Sequence, residues 1–184
     1  MSKQLKKIAA VVALSILPCA AFAAPTVTFE GEVTDQTCSV NINGQTNSVV
    51  MLPTVAVSEF GSSLAPGQKA GITPFTITVS DCTAPASDLN ITTQFLGYDV
   101  DPSSGVLGNR ATTDAATGFG IQLTTSGTGG TAVALNGITP VPGLVLKQGK
   151  TSASYDFGAQ YYVLSATATA GKITAVAEYT VSYL

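Results

Sequence analysis

Few residues in this chain can do covalent chemistry, and their spacing points to a cross-link rather than a reaction. Cys38 and Cys82 stand 44 positions apart, histidine is absent throughout, and no Gly-x-Ser-x-Gly run occurs. Without an imidazole there is no Ser-His-Asp relay and no histidine-bound zinc. No two carboxylates are convincingly paired for acid–base work. The sequence therefore assigns no catalytic, cofactor-binding or metal-ligating residue. The two cysteines lack a C-x-x-C spacing, so a metal or redox pair is the weak reading. In an exported chain they read as one disulfide. Its loop of 44 residues is worth on the order of 4 kcal/mol in the chain-entropy picture. Asp99-Val100-Asp101-Pro102 offers two carboxylates to a calcium ion but reads first as an Asx turn ahead of proline. Asn90-Ile91-Thr92 fits the glycosylation pattern, which a bacterial-type export signal leaves idle.

That export signal occupies residues 1–23. Lys3, Lys6 and Lys7 precede an apolar run of about ten residues, and Ala21-Phe22-Ala23 supplies the small-x-small cleavage site. The run is too short to span a bilayer. Cys19 lies inside the signal, preceded by Pro18 rather than the small residue a lipoprotein signal needs. Cleavage after Ala23 leaves 161 residues, one domain in size. Loss of the three signal lysines leaves five basic residues against eleven acidic, a net charge of −6. One arginine and no basic cluster exclude nucleic acid as an expected partner.

The elements that must carry these residues are strands. No stretch of useful length reads as helical, and short runs rich in Thr and Val are broken by Gly, Pro and Asn, as in a sandwich or barrel. Residues 27–33 alternate, with Val27, Phe29, Gly31 and Val33 on one face. Residues 38–42 and 46–52 flank Asn43-Gly44, a strong hairpin signal. Residues 75–79 lead into Cys82, and 89–96 form another run. Residues 99–118 read as a polar loop, 120–123 as a short strand, 125–131 as a Gly-rich mobile loop, and 132–138 contain a second Asn-Gly turn. Residues 154–164 alternate over most of their length. Exposed Thr and Ser in 99–131 could touch sugars but read first as a variable outer face.

The last stretch carries the clearest pattern. From Ile173 onward, Ile173, Ala175, Ala177, Tyr179, Val181 and Tyr183 share one face, and Thr174, Glu178, Thr180 and Ser182 share the other. A strand with one committed apolar face is either central in a closed sheet or waiting for a neighbour.

Several pieces now coincide: the export signal, the alternating segment with Gly31 at its centre, Asp35-Gln36-Thr37-Cys38-Ser39-Val40, Leu52-Pro53-Thr54-Val55, Thr73-Pro74-Phe75 ahead of Cys82, Gln160-Tyr161-Tyr162, Gly171 and Tyr183. In these the chain resembles pilin subunits of chaperone–usher fimbriae, closest to the type 1, F17-like and long-polar-fimbria major subunits. The resemblance spans the whole chain. It implies an all-β fold, an incomplete immunoglobulin-like Greek-key sandwich completed by a donor strand from another subunit. It divides the chain into a signal (1–23), an N-terminal donor extension (24–36, overlapping the first strand) and a pilin domain (37–184). It makes Val27, Phe29, Gly31 and Val33 the donor face. It makes Gly171, Ile173, Ala175, Ala177, Tyr179, Val181, Tyr183 and Leu184 the acceptor groove and chaperone contact, with the Leu184 carboxylate meeting basic chaperone residues. The implied partners are neighbouring copies in a homopolymer, a periplasmic chaperone and an outer-membrane usher, with a host receptor as a further candidate. The implied destination, by way of the periplasm, is a cell-surface fimbrium.

Alternatives stay open on the residues alone. Residues 27–33 also fit an ordinary first strand paired within its own domain. Gly31 also fits a bulge or turn glycine, and Leu184 a solvated end. A minor, adaptor or tip subunit is the rival role. A two-domain adhesin would need a lectin domain for which 161 residues leave no room. An exported enzyme and a free-standing β-sandwich are the remaining classes.

Overall fold

Phe75, Ile77 and Val79 alternate with Thr76 and Thr78, and burial follows that period: the first three are buried and the threonines half-buried. They lie in the longest strand of the body. The structure, a computed structural model, describes residues 34–183, which lie within the compact unit Glu32–Leu184. The expected signal and the donor residues Val27, Phe29, Gly31 and Val33 fall outside the described residues, as does Leu184.

Among the described residues there are eight strands: β1 (Ser39–Ile42), β2 (Lys69–Ser80), β3 (Leu89–Gly97), β4 (Phe119–Ser126), β5 (Gly129–Val133), β6 (Thr139–Leu146), β7 (Ala153–Val163) and β8 (Ala177–Ser182), with one 3₁₀ turn at Val57–Phe60. They form a five-stranded sheet in the order β1-β2-β7-β4-β5 and a three-stranded sheet in the order β6-β3-β8. Every ladder is antiparallel. The result is the all-β sandwich expected from the sequence. Phe75, Phe95 and Phe157 meet at its centre with ring centroids 5.3–6.5 Å apart.

Cys38 and Cys82 form the expected disulfide, with Cα atoms 4.3 Å apart. It ties the residue before β1 to the segment just past the end of β2. The Asp99–Pro102 stretch is a turn: Asp101 Oδ1 accepts from Ser104 N, Ser103 Oγ and Ser104 Oγ at 2.6–2.8 Å. The Ser104 and Ser103 bonds hold its carboxyl below the usual range. Asp99 instead pairs with Arg110.

Two local expectations are corrected. Asn43 (φ 49°) and Gly44 (φ 81°) form the two-residue turn, and Ile42 and Gln45 exchange backbone bonds of 2.9 Å. The arm after it, residues 46–52, does not return as a strand beside β1. Val50 and Leu52 instead pack half-buried against the core cluster. Residues 125–131, expected as a mobile loop, are mostly a β4–β5 hairpin with Ser126 opposite Gly129.

Candidate functional site: an unfinished sheet edge

A sheet of three strands has two edges, and this one treats them differently. Edge strand β6 carries Pro140 and Pro142 and a bulge against β3, where Pro142 and Gly143 share the space opposite Thr92. Proline and bulges are the usual devices that stop an edge from pairing. The five-stranded sheet ends in β1, four residues long, and in β5, which opens on two glycines. Edge strand β8 has none of these devices. Among the described residues it pairs with β3 alone, from Ala177 opposite Gly97 to Ser182 opposite Thr92.

The inward side of this edge is the apolar row expected from the sequence. Ile173, Ala175, Ala177, Tyr179, Val181 and Tyr183 all face the interior, yet each is only half-buried. Inward residues of the neighbouring strand β3 are sealed: Ile91 is 1% exposed and Phe95 3%. The alternation thus extends over the whole row, but the cover that strands elsewhere receive is incomplete here.

Residues 46–53 form the facing wall; 46–52 of these are the expected hairpin arm. Ser48, Val50 and Leu52 are half-buried while Val49 and Met51 are 77% and 78% exposed. Among the described residues no backbone–backbone bond involves 46–55. Two tyrosines reach this wall from the body: Tyr179 donates from its hydroxyl to Thr46 O (3.3 Å) and Tyr161 to Pro53 O (3.1 Å). Burial raises both phenol pKa values, which favours the neutral, donating form. Val55 and Ile173 pack on one cluster at the far end. The wall therefore runs opposite in direction to β8, and the space between these two backbone edges is the candidate slot. The alternation of Ser48, Val50 and Leu52 was the available signal for this wall.

On the outer side β8 is polar. Tyr98 donates its hydroxyl to the Glu178 carboxylate, which raises the Tyr98 pKa. Arg110 lies 5.9 Å over the Tyr98 ring. No charged side chain belongs to the inward row.

Gly171 stands two residues before Ile173, the first residue of the row, and is exposed. A Cβ there would fall 2.4 Å from Ala116 N and 2.5 Å from Asp114 O, so the glycine is required by close backbone approach. Gly171→Ala is expected to lower stability by about 1–3 kcal/mol, read as a shifted denaturation midpoint. An unchanged midpoint would mean that residues 114–116 give way freely.

Residues 27–184 match the fimbrial protein family. The chain is 35% identical over 183 residues to the major fimbrial subunit SMF-1 of Stenotrophomonas maltophilia, covering 92% of this chain and 99% of that protein. It is 33% identical over 164 residues to the minor fimbrial subunit HifD of Haemophilus influenzae, covering 85% and 73%. The crystal structure of the P pilus rod subunit PapA shares the fold, with a TM-score of 0.58 over 80% of this chain and 99% of that one at 17% identity. The chain belongs to the fimbrial protein family, whose members are non-enzymatic structural subunits of fimbriae at the cell surface.

Proposed function

We propose that this subunit polymerises by donor-strand exchange: the slot beside β8 accepts residues 24–36 of a neighbouring copy once signal residues 1–23 have been removed. One observation carries this reading. β8 is an edge without a blunting device, and its inward row is only half-buried. An added strand pairs with the exposed backbone and covers the row with alternate side chains, which is β-augmentation. Because donor and acceptor lie at different places on one chain, the contact is heterologous and propagates as a filament. A periplasmic chaperone fills the slot first, contacting the Leu184 carboxylate, and an outer-membrane usher directs the exchange. The role as major subunit is supported by the likeness to SMF-1. The likeness to HifD supports a minor subunit as the second reading. Labelling along the shaft rather than at the tip separates the two.

The slot also accounts for a glycine in the donor face. The Tyr179 side chain reaches from β8 to Thr46 O, and a donor residue without a side chain, such as Gly31, suits a floor raised by that ring. Gly31→Leu is the test. Chaperone binding is expected to persist while fibres fall to a small fraction of normal, counted by electron microscopy. Normal fibres in that variant would reject the assignment.

A further inference from the structure

We propose that Asn109 is a positioning residue that carries the open edge two rungs beyond β3, so that Ile173 and Ala175 pair with the incoming strand as β8 does. The inference rests on the donor-strand reading above. β3 ends at Gly97, opposite Ala177, and one further bond, Tyr98 N to Val176 O at 3.0 Å, continues the ladder. Among the described residues no strand accompanies 172–175. A segment of the 99–118 loop takes over instead. Arg110 N donates to Thr174 O (2.7 Å), Lys172 N to Asp114 O (2.7 Å) and Ala116 N to Lys172 O (2.9 Å).

The Asn109 side chain joins these pieces. Its Nδ2 donates to Ala116 O and Lys172 O, both at 2.8 Å. Its Oδ1 accepts from Ala111 N and Thr174 N, both at 2.9 Å. Two donors and two lone pairs are the full capacity of one amide. The partners also fix its orientation, since a flipped amide would set NH₂ against two N–H groups. Thr174 N has this oxygen as its partner.

The consequence follows from the period of a strand. The backbone groups of Lys172, Thr174 and Val176 are held on the β3 side, so those of Ile173 and Ala175 turn to the opposite side. Among the described residues none of the backbone groups of Ile173 or Ala175 is bonded, and both side chains pack half-buried against the core. Backbone and side chain are thus set as they are at Tyr179 and Val181, although β3 has already ended.

Hydrogen–deuterium exchange on fibres of the mature chain, read at single residues, tests this. In unsubstituted fibres the amides of Ile173, Ala175, Tyr179 and Val181 are expected to be protected. Asn109→Asp keeps the size but turns a carboxylate oxygen toward the Ala116 and Lys172 carbonyls. The milder Asn109→Ser is too short to bridge. In both, Ile173 and Ala175 are expected to exchange at least about tenfold faster while Tyr179 and Val181 keep their protection. Unchanged protection in both variants, or uniform loosening from 173 to 181, would overturn the role of Asn109. Unsubstituted fibres decide the rungs themselves even if a variant does not assemble. Protection at Tyr179 and Val181 without protection at Ile173 and Ala175 sinks this inference alone. Protection at none of the four sinks the donor-strand reading with it.

Discussion

A mature chain lacking residues 24–34 is expected to show no sharp melting transition, and a peptide of those residues added in trans is expected to restore one. The proposed filling of the slot beside β8 by these residues sets the size of the effect. Burying Val27, Phe29 and Val33 contributes roughly 1.5–3 kcal/mol each. Each backbone bond to the open edges contributes about 0.5–1.5 kcal/mol net. Both act on a domain whose whole stability is typically about 5–15 kcal/mol. Removing the strand therefore takes away an amount comparable to that total, and it leaves an apolar row and two bare edges that favour aggregation. Calorimetry of the trimmed chain, with and without peptide, gives the answer. A trimmed chain that already melts cooperatively at high temperature, indifferent to the peptide, would reject the slot as an acceptor.

The second large effect is covalent. Replacing Cys38 and Cys82 together with alanine is expected to cost about 4 kcal/mol, from the 44-residue separation they close. The position of the bridge sharpens the expectation. Among the described strands β1 is a four-residue edge strand paired only with β2, and the disulfide anchors the point where the chain enters it. Val40 and Ile42 bring β1 onto the core clusters, so loosening its start also uncovers that end of the sandwich. Denaturant unfolding should show a lower midpoint in the double variant, and adding reductant to the unsubstituted chain should reproduce the shift. An unchanged midpoint would mean that β1 is held by its ladder alone.

Legibility differed from element to element for physical reasons. The terminal row from Ile173 to Tyr183 could be read in full, because a half-covered face still demands period-two alternation. β2, β3 and β7 were readable for the same reason, and the cysteine pair because nothing else in the chain suits those thiols. β6 was invisible: Pro140, Pro142 and Gly143 are the residues that argue against a strand, and here they mark an edge kept from pairing. Gly143 has φ 136°, and its missing side chain leaves room for the Tyr155 ring. No local pattern announces a demand set by a residue of another strand. Residues 46–52 misled because their alternation is real while their neighbour is not β1. Asn109 was missed because a polar residue in a polar loop carries no periodic signal; its four bonds exist only once residues 172–174 are folded beside it.

The alternate pairing along residues 172–182 bears on how freely the rest of the molecule can change. On the donor-strand proposal, a tenant of the slot would be gripped by its main chain at every second residue and screened mainly by the stature of the side chains it points inward. Such a lock reads shape and spacing, with little regard for chemical identity, so it can admit unlike sequences in turn. Exposed residues between the strands, such as Ala84 and Ser87, stand outside that reading. Substitutions there can accumulate without retuning assembly.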